Sequence, residues 1–351
     1  MTAIAPSAPT GALAALRAGR RRRATRRRVG ITALAVLLVA LLAASLVIGQ
    51  TIYPIGDVVQ VLLGHDVPGA SFTIGTLRIP RAVAGALAGI AFGLAGSTFQ
   101  TLLRNPLASP DVIGITSGAS AAAVLSITVL GWSTVATNAF ALVVGIATAL
   151  AISLIARGGD STGGRLILIG IGIGAMLDSV VSFLVERSSE HDVGAAMRWI
   201  AGSLNGSSLD GAAPLAIAVV VLAPAILVLS RGLGALELGE QTAVSLGVSA
   251  SRTRLLLIVC AVALACFATA TTGPIAFVAF LSGPIASHIV GRGSSLLIPA
   301  ALVGACLVLA GDLIGQFAFD TRFPVGVITG IAGAPYLLVL LLRMTRIGGS
   351  S

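Results

Sequence analysis

Runs of about twenty apolar residues recur along this chain, parted by short polar turns, and each run is long enough to cross a bilayer as a helix. That recurrence leaves few folds open, because a spanning segment must satisfy its own backbone hydrogen bonds. Only 10% of the residues are charged and 56% are hydrophobic, and the mean hydropathy is +1.03. A soluble domain carries about a quarter charged residues. The runs fall near residues 29–49, 77–101, 112–130, 136–156, 166–186, 212–230, 254–272, 273–290, 296–317 and 324–343. Ten spans would use roughly 200 residues, leaving room for short loops and no large soluble domain. The expectation is an all-α, polytopic membrane protein of about ten transmembrane helices, set in a cell (inner or plasma) membrane with both termini cytoplasmic. A disordered, Arg-rich N-terminus covers residues 1–29, a membrane domain 30–345, and a tail 346–351.

Charge sets the orientation. All 22 basic residues are arginine, and eight of them lie in residues 17–28, directly before the first span. Basic runs suggest nucleic acid, but this position favours a cytoplasmic anchor against anionic membrane lipid. No nucleic-acid partner is expected. An uncleaved first helix fits the 21-residue apolar run better than a signal peptide does. With ten spans, seventeen arginines fall inside and five outside, obeying the positive-inside rule. The inside set includes Arg104, Arg157, Arg165, Arg231, Arg252, Arg254 and Arg292; the outside set is Arg78, Arg81, Arg187, Arg198 and Arg322. The runs ASPDVIGITSG, from Ala108, and TGPIAFVAFLSG, from Thr272, each enter a span through a proline break. They are five helices apart, the odd offset of an inverted internal repeat.

Several chemistries are excluded. Without lysine there is no Walker A loop and no Schiff-base lysine. Cys260, Cys266 and Cys306 sit in apolar runs, and His65, His191 and His288 are scattered, so no metal site, disulfide or cofactor is expected. No catalytic constellation stands out. Ser282 and His288 lie six apart without an orienting carboxylate, which reads as packing. Asp178 and Asp312 fall within spans, where a carboxylate costs about 2.5–3.5 kcal/mol and needs a cavity or a partner. They leave open a proton-driven secondary transporter of a small solute, with the two aspartates as a relay.

Other features look built for partners. Gly85, Gly89 and Gly93 are spaced for close helix packing, while Gly170, Gly172, Gly174 and Asp178 mark a helix able to line a translocation path. The long inside segment 231–253 holds a short helix over 236–247, with Leu236, Ala243 and Leu246 apolar and Gly247 as its stop. On the outside, Arg78, Arg81 and Arg322 precede spans marked by Pro80 and Pro324, a positive rim suited to acidic groups.

Taken in order, RIPR with NPLASPDVIGITSGA, then RWIAGSLNG, LELGEQTAVSLGV, TGPIAFVAFLSGPIASHIV and FPVGVITGIAGAPYLLVLLLR resemble the FecCD-type permeases. These are the membrane subunits of ABC importers for ferric siderophores, haem and vitamin B12. The resemblance runs from about residue 30 to 345, and NPLASPDV and AGSLNG are most similar to the ferric enterobactin branch. It implies a non-enzymatic permease that moves a ferric siderophore inward. It also implies two separate ATP-binding subunits, a second permease (identical or related) and an extracytoplasmic binding protein. Arg78, Arg81 and Arg322 then map onto the docking arginines. Leu236, Glu237, Gly239, Glu240, Ala243, Leu246 and Gly247 map onto the ATPase-coupling loop. One departure is local: Ser282, Gly283, Pro284 and His288 spread out a Val-Pro-His pattern usual in the family.

Overall fold

A computed structural model of the chain describes residues 10–156, 162–237, 239–291 and 295–348. The inside arginines Arg157 and Arg292 and most of the expected loop 157–165 lie outside the described residues, as does Leu238. What is described is all helix and turn, with no strand among the described residues. The helices are α1 (Thr10–Val47), α2 (Ile55–Leu62), α3 (Ile79–Leu102), α4 (Ile115–Leu125), α5 (Thr134–Ile155), α6 (Thr162–Glu186) and α7 (Glu190–Ala201). After these come α8 (Leu209–Glu237), α9 (Glu240–Ser245), α10 (Ala250–Thr272), α11 (Val278–Val290), α12 (Leu297–Phe317) and α13 (Val325–Gly348). Wider π turns lead into α3 over Phe72–Arg78 and out of α4 over Ser126–Leu130. Eight helices among the described residues are long and apolar enough to cross a membrane, and two shorter apolar helices, Ile115–Leu130 and Val278–Val290, accompany them.

α3 is the axis. It packs on α12, α10, α11 and α8, and its small residues make that possible. A Cβ on Gly89 would overlap the carbonyl of Gly304, and one on Gly93 the carbonyl of Ala300, both on α12. One on Gly96 would overlap the carbonyl of Ala279 on α11. Backbone thus meets backbone along one stripe, the contact that small residues permit in membranes. Larger side chains fill the flanks: Phe92, Leu204, Leu215, Ile226, Leu257 and Leu264 are fully buried around this axis.

Two expectations are corrected and one helix is added. First, the Arg-rich segment is not disordered where described: α1 begins at Thr10 and carries all eight arginines. Alanine and arginine are strong helix formers, and the apolar span supplies the nucleus. Arg26 also pins this segment, donating from Nη2 to the His288 carbonyl at 2.6 Å and from Nε to that of Ile289 at 3.1 Å, at the end of α11. Second, α7 stands between the spans expected at 166–186 and 212–230. Ser189 accepts from the Asp192 N–H, Glu190 and Asp192 occupy the first turn and Arg198 the last, a well-capped helix. Third, the inside segment is shorter than 231–253, because α8 runs on to Glu237 and α10 begins at Ala250. Leu233 and Leu236 continue the buried face, and Gly232 lets Thr253 approach, its absent Cβ 2.8 Å from Thr253 Cγ2.

The stripe makes a direct prediction. Gly93→Val places branched carbons on the Ala300 backbone and should destabilise the bundle by about 3 kcal/mol or more, read as loss of monodisperse protein in detergent. Gly172→Ala, facing open space, should leave yield and melting unchanged.

Candidate functional site

The two ends of α3 carry the chemistry. At its start, Arg81 grips Asp312 of α12 with two parallel bonds, Nε to Oδ2 and Nη2 to Oδ1, both 2.8 Å, and Nη1 donates to Asn205 Oδ1 at 3.1 Å. Gln316 Nε2 donates to the same carboxylate at 2.7 Å. Asp312 is buried, at 3% exposure, and this fork is the satisfied form in which a buried charge is tolerated. Asp312 is therefore spoken for by an ion pair. Asp178 lies exposed on α6, a helix that packs on α4 and α5, so the structure does not assemble the two aspartates into one site.

Arg78 does different work. Its Nη1 donates to the carbonyls of Leu46 (2.7 Å) and Val47 (2.9 Å), and its Nη2 to that of Thr51 (2.6 Å). These include carbonyls of the last turn of α1, of which Val47 also accepts from the Tyr53 N–H at 3.3 Å, and a cation there meets the negative end of the helix dipole. Tyr53 lies under the guanidinium, 5.0 Å from ring centroid to Cζ. Gly49 keeps the seat open, since a Cβ there would strike the Arg78 Nη2. Arg322, in the turn between α12 and α13, is exposed, and Phe319 and Phe323 beside it meet edge to face at 5.2 Å.

At the other end of α3, Arg104 Nη2 donates to the Leu236 carbonyl at 2.6 Å, capping α8. The α9 turn follows. Gly239 takes φ +116° and Gly247 φ +80°, conformations that suit glycine. Gly247 closes α9 with the paired bonds Gly247 N–H to Val244 and Val248 N–H to Ala243. Leu236 and Ala243 are buried in a cluster with Ala250, Leu102 and Val248, while Glu237, Val244 and Leu246 are exposed, the last two at 60% and 63%. α9 thus hides one face and presents an apolar pair on the other. A cavity of about 250 Å³ lies beside it, lined by Leu102, Arg104, Leu236, Gly239 and Arg254.

α6 is unbroken through its glycines. Gly170 and Gly174 are buried, Gly174 against Ser117 of α4, whereas Gly172 faces open space. Gly174 supplies close packing here, Gly172 does not, and α6 stays helical through all three glycines. A larger cavity of about 670 Å³ opens elsewhere, between the turn before α4, the end of α7, the α10–α11 break and α13. Asp111, Phe277, Phe280, Ile200 and Leu337 line it. Sequence reasoning missed Phe277, whose φ of +63° is rare for a bulky residue. Its ring meets Phe280 edge to face at 6.2 Å. The available signal was a Gly-Pro break with an aromatic three residues after the proline. The two proline breaks match locally: Gly114 and Phe277 both take left-handed backbone immediately before α4 and α11. Ser282 and His288 each bond to their own helix, Ser282 to the Val278 carbonyl and His288 to that of Pro284, so packing is their role.

Comparison with known proteins places this geometry in context. The model of the FecCD transport family matches residues 37–343. The ferric enterobactin transport system permease protein FepG of Escherichia coli is 40% identical over 292 residues, covering 83% of this chain and 88% of that protein. The Fe(3+)-citrate import system permease protein YfmE of Bacillus subtilis is 36% identical, covering 89% and 94%. Among solved structures, a metal-chelate type ABC transporter in an inward-facing conformation superposes with a TM-score of 0.79 at 27% identity, covering 89% of this chain and 98% of that one.

Asp111 supplies a pH signature. Burial pushes its carboxyl above the usual carboxylate range, opposed by the bond from Ser109 Oγ, 2.9 Å from Oδ2. A raised folded pKa means the folded state holds the proton more tightly than the unfolded chain. The stabilisation is therefore full below the ordinary aspartate pKa and is lost as pH rises toward the folded value. Melting in detergent should fall as pH rises above the ordinary aspartate range in the native chain, and Asp111→Asn should flatten that slope.

Proposed function

The chain belongs to the FecCD transport family, and on that premise we propose that it is the permease subunit of an ABC importer carrying a ferric siderophore inward. One observation carries the reading. α9 hides Leu236 and Ala243 and presents Val244 and Leu246 at the end of α3 away from Arg81. An exposed apolar pair on a capped, glycine-hinged turn suits a rigid partner. The chain lacks the lysine of a Walker A loop, so a separate ATP-binding subunit must hydrolyse the nucleotide. Two such subunits fit a pair of permeases, the second an identical or related copy. The exposed face of α6, with Leu168, Ile171, Met176, Asp178 and Phe183, suits such a copy and one wall of the path.

The charge bias supports ten crossings with both termini cytoplasmic. The arginines of α1 then meet anionic lipid headgroups, apart from Arg26, which is held by α11. At the outer end, the binding protein docks on the rim. Arg322 is exposed and receives a carboxylate directly. Arg78 and Arg81 reach one only by exchanging a carbonyl or the Asp312 carboxylate for it. The names of the relatives, with enterobactin and citrate among their cargoes, support a ferric chelate.

Two measurements test this. Arg322→Glu should lower ferric enterobactin uptake about tenfold through weaker docking, with the ATP-binding subunit still bound; unchanged uptake overturns the rim. Val244→Asp with Leu246→Asp, both at exposed positions, should abolish co-purification of the ATP-binding subunit while the bundle melts normally. Retention of that subunit overturns the reading of α9.

A further inference from the structure

We infer that Arg104 is a positioning residue for coupling, joining the end of α3 to the turn that docks the ATP-binding subunit; this rests on the reading of α9 above. The backbone makes the first case. Asn105 N–H bonds to the Gln100 carbonyl and Arg104 N–H to that of Thr101, the paired bonds that end a helix in a left-handed residue. Glycine is the usual occupant of that position, and Arg104 holds φ +49° instead. Ten glycines among the described residues take positive φ without strain, against two residues of any other type. A chain this rich in glycine, with 43 of them, keeps an arginine there for its side chain.

The side chain makes the second. Its 2.6 Å bond reaches the carbonyl of Leu236, one residue before α8 ends and three before the Gly239 hinge of α9. The cavity of about 250 Å³ lies at this junction, so the charged bond bridges a place where close packing gives way. A displacement of α9 moves the Leu236 carbonyl, and Arg104 hands that movement to α3. Because α3 is locked to α12 by backbone contact and by Arg81 with Asp312, its far end follows.

Structural capping and coupling separate cleanly here. Arg104→Gly removes the backbone strain and the side chain together. In the assembled transporter in phospholipid vesicles, it should melt at or above the native temperature and keep its ATP-binding subunit. Stimulation of ATP turnover by ferric enterobactin on its binding protein should fall about tenfold, the loss of a charged hydrogen bond. Arg104→Lys should recover part of it. Full stimulation in Arg104→Gly overturns the proposal, as does a lower melting temperature or a lost subunit, either of which makes the bond a structural cap. Failure of the α9 reading is read separately, from Val244→Asp with Leu246→Asp still holding the ATP-binding subunit.

Discussion

The contact between Gly89 and Gly304 is the one on which the bundle depends. In lipid, a leucine gains nothing by leaving solvent for the interior, since the tails around it are as apolar as the core. Helices hold together there by close van der Waals approach and by satisfying polar groups. α3 meets that demand with a stripe of glycines, which brings carbonyls of α12 and α11 to where side chains would stand. Four helices then close around one narrow helix, and its ends inherit fixed positions. Bulk sits on the neighbours instead, in Leu215, Ile226, Leu257 and Leu264.

The arginines follow from the same solvent. Helix ends leave carbonyls without partners, and an unpaired carbonyl in a poorly hydrated setting costs more than in water. Three helix ends here recruit a guanidinium from another helix or turn, Arg78 for α1, Arg26 for α11 and Arg104 for α8, and at Val47 and Leu236 it adds to a backbone N–H bond already made by Tyr53 and Gly239. A planar fork with several donors suits adjacent carbonyls better than a point ammonium. Arg78, bonding to three carbonyls at once, illustrates the advantage. Each such bond contributes about 1.5–3 kcal/mol before solvent screening, so charge counted as topology from the sequence is also structural glue.

Much of the span pattern was legible because apolar run length reads membrane thickness directly. The break at Gly273-Pro274 and the Gly247 stop were legible from local chemistry. Contacts across the chain were not. Nothing local links Arg81 to Asp312, 231 residues away, or Arg78 to the end of α1. The isolation of Arg78 and Arg81 in the sequence therefore read as a bare rim, where the fold supplies each with internal partners. The helix at Glu190 carries an N-cap and charges that suit its dipole, but it lacks the apolar run that marks a span. The Arg-rich segment 1–29 read as disordered, though from Thr10 the span behind it lets the helix continue.

Left-handed backbone offers the last step. Wherever a turn alone is needed, as at Gly114, Gly239 and Gly247, this chain uses glycine and avoids about 1–2 kcal/mol of strain. Arg104 and Phe277 accept that strain. Arg104 borders the cavity beside α9, and Phe277 lines the larger cavity with its ring set against Gly333 of α13, whose Cβ would collide with it. Strain that persists is held by its surroundings, and such positions cluster where structures switch. One borders the turn proposed to dock the ATP-binding subunit, the other the wall of the cavity of about 670 Å³. On the proposed coupling, a carrier that relays a movement and then opens would use a side chain at both places, and among the described residues these are the two where glycine would have been the easier choice.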